Sequence, residues 1–186
     1  MTSDLENNYR IRCEQPSDIN EHLPTLKRYA EECEHITEMG VRWVVSTFAF
    51  MVGQPKKLIS YDIDPLETWG FNTNEIVDLA KENGIDFQFK IANTLDLEIE
   101  GTDLLFLDTD HTYNQVKGEL LLHGNKSKKY IIFHDTTTFE FKGMNGDTIG
   151  LWPAIEEFMV KNPHWVICER FYNNNGLTIL KRICKY

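Results

Sequence analysis

The chain has 186 residues, 41% hydrophobic and 26% charged, which suits one globular domain with a single core and leaves little room for two. Against 29 Asp and Glu stand 19 Lys and Arg, and the net charge of −10 withholds electrostatic support from nucleic-acid backbones and anionic membranes as partners. No apolar run approaches the roughly 20 residues of a membrane span, the N-terminus lacks a signal-peptide pattern, and Cys13, Cys33, Cys168 and Cys184 are scattered, so a cytoplasmic protein with free thiols is expected.

Residues 1–15 read as a polar arm. Pro16-Ser17-Asp18 then offers a helix start with Ser17 as N-cap, and Ile19, Leu23, Leu26, Ala30 and Cys33 recur at the spacing of one buried helical stripe. Pro24 splits that segment into a short turn and a main helix with Pro24 in its first turn. Beyond it the chain alternates. A strand over 35–39 leads to a helix over 46–52 closed by Gly53, and a strand over 58–62 leads to a helix over 74–83 closed by Gly84. Residues 86–92 alternate as a strand should. Leu104-Leu105-Phe106-Leu107, ending in Asp108, is a continuous run that fits a strand buried on both faces, followed by a helix over 113–122. Tyr130-Ile131-Ile132-Phe133 is another such strand, and a helix over 153–161 opens on Pro153.

The end breaks the rhythm. Strands over 165–171 and 177–182 are separated only by the turn-forming Tyr172-Asn173-Asn174-Asn175-Gly176, too short for a parallel crossover, so they pair antiparallel. The predicted fold is therefore α/β: a doubly wound, mostly parallel, seven-stranded Rossmann-like sheet with a C-terminal antiparallel hairpin. It forms a single domain over 1–186, with an arm and helical cap in 1–34 and the core in 35–182. In such sheets the ligand sits outside the carboxyl ends of the strands.

The unusual residues gather at those ends. Glu38-Met39-Gly40 closes the first strand, Asp62-Ile63-Asp64 the second, Ala92-Asn93-Thr94 the third, Asp108-Thr109-Asp110-His111 the fourth and His134-Asp135-Thr136 the fifth. Exposed strand ends are polar in any protein. Carboxylates and imidazoles adjoining buried apolar strands point instead to a functional rim.

EMGVRWVVST, SYDIDP, LDTDHTYNQVKGEL and YIIFHDTT together resemble class I S-adenosylmethionine-dependent methyltransferases, most of all the small-molecule and sugar O-methyltransferases and the cephalosporin-hydroxylase-like group. The resemblance spans about residues 35–182, and its most specific part is D-x-D-H-x-Y followed by F-H-D. It implies S-adenosylmethionine as cofactor, with Glu38, Gly40, Ser46, Asp62, Ala92, Asn93, Thr94 and Asp108 around it, Asp62 on the ribose and Asp64 as the nearby alternative. Val44 stands where the family's second glycine is expected, so either the loop bends differently or the cofactor is held less tightly.

Methyl transfer to a hydroxyl requires in-line geometry, loss of the hydroxyl proton and exclusion of water. Asp108 and Asp135 could share a divalent cation such as magnesium, with Thr136 in the position of a third ligand, and the cation would acidify a bound hydroxyl. His111, in a D-x-x-H spacing from Asp108, is the expected catalytic base beside Asp108, while His134 reads as a buried structural histidine. The acceptor implied is a small hydroxylated molecule, a carbohydrate before a catechol; nucleic acid and membrane are not expected partners, and a homodimer is allowed. Trp165 reads as core, Trp43 as a cofactor cover or sheet cap, Trp69 and Trp152 as loop residues near the rim, and 143–150 as a lid or plain loop. Two other readings use the same residues: a metal-dependent hydrolase built on Asp108, Asp110, His111, His134 and Asp135, and a noncatalytic module in which Val44 marks a decayed loop.

Overall fold

A computed structural model describes residues 4–144, 146 and 148–183. Cys184, and Asn145 and Asp147 of the expected lid, lie outside the described residues. The strands are β1 (His35–Met39), β2 (Lys57–Asp62), β3 (Asp86–Ile91), β4 (Thr102–Leu107), β5 (Ser127–His134), β6 (Trp165–Phe171) and β7 (Leu177–Arg182). They form one sheet in the order β3-β2-β1-β4-β5-β7-β6. β3 to β5 pair in parallel across the sheet, while β7 runs antiparallel to both β5 and β6, as the short hairpin requires.

The helices are α1 (Asp4–Glu14), α2 (Leu23–Ala30), α3 (Val45–Val52), α4 (Thr73–Glu82), α5 (Tyr113–His123) and α6 (Trp152–Lys161). The period-2 geometry of the central strands sends Leu104 and Phe106 of β4 to one face and Leu105 and Leu107 to the other. On the first face they pack with Leu5 of α1, Leu26 of α2, Phe48 of α3 and Ala80 of α4. On the second they meet Val116 and Leu120 of α5 and Ile155 and Phe158 of α6. Burial on both faces explains why β4 and β5 read as unbroken apolar runs.

Residues 4–14 correct one expectation: the polar arm is a helix. Its one fully buried residue is Leu5, 1% exposed, with Tyr9 and Cys13 packed half-buried along the same face, a narrow stripe in an otherwise polar segment. Ser17 accepts the N–H of Asn20 at 3.0 Å but lies two residues before Ile19, the cap of the short 3-10 turn over Asn20–His22, while Pro24 occupies the first turn of α2 as expected. Trp165 is core at 2% exposure. Trp152 is a second correction, since it is buried at the start of α6 under the Arg170 guanidinium, 3.7 Å away, and not in a rim loop. Cys13, Cys33 and Cys168 are free thiols. Among the described residues no helix is long and apolar enough to cross a membrane.

The chain winds outward through β1, β2 and β3, then returns to lay β4 on the other side of β1. At that switch point the chain ends nearly touch: the Asp108 N–H donates to the Met39 carbonyl at 2.8 Å, and a Cβ on Gly40 would lie 1.9 Å from the Asp108 carbonyl oxygen. Gly40 also has φ of 86°. Gly40→Ala should therefore force β1 and β4 apart and cost on the order of 3 kcal/mol in urea unfolding. A loss under about 0.5 kcal/mol, the range of an ordinary surface change, would show that this approach is not tight.

Candidate functional site

A cavity of about 640 Å³ opens over the carboxyl ends of β1, β2, β3, β4 and β5, as the winding order requires. Of the residues expected around the cofactor, Gly40, Ser46, Asp62, Ala92, Asn93, Thr94 and Asp108 line it, together with His111 and Asp135.

Glu38 does not line it. It is fully buried beneath the first loop, where it accepts from the hydroxyls of Ser46 (2.6 Å), Thr47 (2.8 Å) and Ser60 (2.5 Å). Burial pushes its carboxyl up to about 7, against the opposing pull of those three hydroxyls. Glu38 thus ties β1, β2 and α3 together under the loop, a correction to its expected place against the cofactor.

The loop turns through two left-handed residues, Arg42 (φ 48°) and Val44 (φ 58°). A β-branched residue in that region is a genuine outlier. The Val44 side chain has 0% exposure and belongs to the core with Leu5 and Phe48, so it points away from the cavity. Val44 takes the left-handed conformation that a glycine would adopt there, and the cavity beside it stays open. Asp62 braces the bend, with Oδ2 accepting the N–H groups of Val41 (2.8 Å) and Arg42 (3.0 Å) and Oδ1 that of Asp64 (3.1 Å). Trp43, 41% exposed, packs edge-on to Trp69 at 5.9 Å, and both line the cavity.

The far wall was not legible as a site. Glu119 of α5 has 0% exposure, and its Oε1 accepts from Thr94 (2.6 Å), Thr109 (2.8 Å) and Gln115 (2.9 Å). Burial raises its carboxyl, partly offset by those donors. The available signal was an acid on the buried Val116, Glu119, Leu120, His123 stripe of α5.

At the other end, Asp108 and Asp135 meet two imidazoles. His111 Nε2 lies 2.8 Å from Asp135 Oδ2 and 3.3 Å from Asp108 Oδ1, with its ring stacked on Phe139 at 4.7 Å. His134, 1% exposed, reaches Asp108 Oδ1 through Nδ1 at 3.3 Å and the Asp18 carbonyl through Nε2 at 3.1 Å. Both His134 neighbours can only accept, so the ring donates from both nitrogens as an imidazolium. Burial alone would lower both histidines. Hydrogen bonds to Asp108 and Asp135 instead push His111 up to about 10, and the Asp108 charge pushes His134 up to about 9. Burial would likewise raise Asp108, but the His134 charge and hydrogen bonds from both rings hold it well below the usual carboxylate range. His134 is the buried structural histidine expected of it.

Thr136 is a correction. It has 0% exposure, and its hydroxyl accepts from Thr178 at 2.9 Å, away from the cavity. The third donor beside Asp108 and Asp135 is His111, the ligand atoms of the three lying within 4.8 Å of one another. Asp135 Oδ1 is buried and has no partner. Two carboxylates with an orphaned oxygen fit a cation. Asp135 itself sits at φ 61°, a conformation an aspartate tolerates better than most residues. The segment after β5 folds back over this end, with the Met144 N–H donating to the His111 carbonyl at 3.1 Å and Met144 lining the cavity.

No protein-family model and no curated protein matches the chain. Solved structures do. A Staphylococcus aureus protein assigned as a caffeoyl-CoA O-methyltransferase is 14% identical with a TM-score of 0.69, over 97% of this chain and 93% of that one. A Bacillus cereus O-methyltransferase in complex with S-adenosylhomocysteine is 14% identical with a TM-score of 0.64, over 96% and 90%. The S-adenosylhomocysteine-bound Podospora anserina methyltransferase PaMTH1 is 14% identical with a TM-score of 0.58, over 98% and 88%. The chain has the class I methyltransferase fold, seven strands with the last reversed.

The imidazoles set a pH dependence in cation-free protein. Their folded-state pKa values lie above the unfolded value near 6.5, so their stabilisation is complete below about pH 6.5. It is lost as pH rises through about 9 for His134 and about 10 for His111. Each contributes a fall of roughly 1 kcal/mol per pH unit inside its window. With chelator present, His111→Gln should remove one such slope from urea-unfolding stability between about pH 7 and pH 9. An unchanged slope would mean that His111 does not neutralise the carboxylates.

Proposed function

We propose that this protein is an S-adenosylmethionine-dependent O-methyltransferase acting on a small, uncharged hydroxylated acceptor, a carbohydrate before a catechol. The observation that carries the reading is one cavity joining the Gly40 loop and Asp62 at one end to the Asp108, His111, Asp135 cluster at the other. The cofactor supplies an electrophilic methyl group. In this reading Asp62 would take its ribose and Asn93 its adenine, both of them lining the cavity, and the N–H groups of the first turn of α3, which has no side-chain cap among the described residues, would take its carboxylate. Asp18, Asp62, Asp64, Asp108, Asp110 and Asp135 make the lining acidic, which suits a cofactor of net positive charge and disfavours an anionic acceptor.

Asp108 and Asp135 would hold a divalent cation, which would acidify a bound hydroxyl and meet the carboxylate charge that His111 now meets. With the cation held by the two carboxylates alone, His111 would lose its proton and its freed Nε2 would take the proton of the hydroxyl. Phe139 and Met144 limit the access of water to that end. A metal-dependent hydrolase would draw on the same Asp108, His111, Asp135 trio, but it leaves the Gly40 loop and Asp62 without work.

Calorimetric titration with S-adenosylhomocysteine, followed by a methyl-transfer screen over neutral glycosides and catechols, tests the reading. Asp62→Ala should cost cofactor affinity first, by roughly 10-fold or more, the scale of one charge-assisted hydrogen bond. Asp108→Asn should weaken cation dependence and acceptor binding instead. His111→Ala should leave both ligands bound and slow turnover roughly 10²- to 10⁴-fold. Absence of binding at millimolar cofactor would sink the proposal, and hydrolysis dependent on tightly bound zinc or iron would favour the hydrolase.

A further inference from the structure

The cofactor loop of this fold is bent through a residue that resists the bend. Val44 (φ 58°, ψ 33°) is the last residue before α3, where a glycine would take the left-handed conformation without cost. Its buried side chain cannot relax the backbone without leaving the core around Leu5 and Phe48. One polar group reaches its backbone from outside the loop. Arg12 of α1 donates from Nε to the Val44 carbonyl at 3.2 Å, and its guanidinium lies 3.8 Å over the ring of Phe48 in α3. The other end of the guanidinium is fixed on α1 itself, through the Asn8 carbonyl (3.2 Å) and the Asn8 side-chain oxygen (3.0 Å). The half-buried cation is therefore spanned between α1 and the strained turn.

We infer that Arg12 is a positioning residue: it clamps Val44 in the left-handed conformation and so holds the Val41 and Arg42 amides on Asp62, making α1 a working part of the cofactor site. The link to cofactor rests on the function proposed above; the clamp itself does not. The turn that ends at Val44 carries the Val44 N–H onto the Val41 carbonyl at 3.0 Å, while the Val41 and Arg42 N–H groups at its start donate to Asp62 Oδ2. Loss of the Arg12 donor leaves the turn free to relax toward the conformations a β-branched residue prefers.

A double-mutant cycle separates this role from ordinary packing. Arg12→Met keeps an aliphatic stem over Phe48 and removes the donor. Val44→Gly removes the reason for a clamp, and Val44→Ala, which keeps a side chain in the core, serves if the glycine variant folds poorly. In ligand-free protein, Arg12→Met should speed amide hydrogen exchange at Val41, Arg42 and Val44 about 2- to 10-fold, the range of one hydrogen bond, with little further change when position 44 is glycine. S-adenosylhomocysteine affinity by calorimetry should fall by a similar factor with Val44 present and by less than about twofold without it. Equal effects of Arg12→Met in both backgrounds, or unchanged exchange at the three amides, would overturn the clamp. If the native chain does not bind S-adenosylhomocysteine, the proposed function fails and the exchange result alone decides the clamp.

Discussion

Two carboxylates that the sheet will not let apart govern the architecture of this protein. Asp108 and Asp135 follow neighbouring parallel strands, β4 and β5, whose bodies are buried on both faces. Parallel register delivers both acids to the same rim, where Asp135 is buried and Asp108 half-buried, so water screens them less than it would at the surface. An uncompensated pair of this kind would be strongly destabilising. The structure answers with His111 bridging the two carboxylates and His134 donating to Asp108 from below.

That compensation fixes the surroundings. His134 needs a second acceptor and finds it in the Asp18 carbonyl, which draws the segment before α2 to the rim. Asn174, at the tip of the β6–β7 hairpin, holds the same segment by donating to the Ser17 carbonyl at 2.8 Å and accepting the Glu21 N–H at 3.0 Å. The reversed hairpin therefore does more than close the sheet, since it seats the N-terminal segment that walls the carboxylate end of the cavity. His111 is fixed by the same logic, stacked on Phe139 and bonded through its carbonyl to Met144.

Much of this was legible in the residues themselves. The unbroken runs before Asp108 and Asp135 mark buried parallel strands, and polar residues closing five successive strands mark the rim. The failures share a physical cause, because each concerns where a side chain points and not which element carries it. Glu38 and Thr136 hold motif positions, yet one turns beneath its loop to three hydroxyls and the other turns to Thr178. Val44 breaks the glycine pattern but keeps the cavity open, because a left-handed backbone swings its side chain into the core. Helix α1 went unread because its buried face, Leu5 with half-buried Tyr9 and Cys13, is a narrow stripe in an otherwise polar segment. Glu119 advertised itself only as an acid on an apolar stripe.

If the carboxylate pair is the acceptor end of a methyl-transfer site, a cation bound there must lie beside the cofactor's methyl group. Paramagnetic relaxation measures that directly: Mn²⁺ titrated into protein carrying S-adenosylmethionine labelled with ¹³C at the methyl carbon. The cation is expected to broaden the methyl resonance strongly, with the broadening reversed by chelator and abolished by Asp135→Asn while the cofactor stays bound. A methyl signal that stays sharp with both ligands bound would separate cation from cofactor and contradict the shared site.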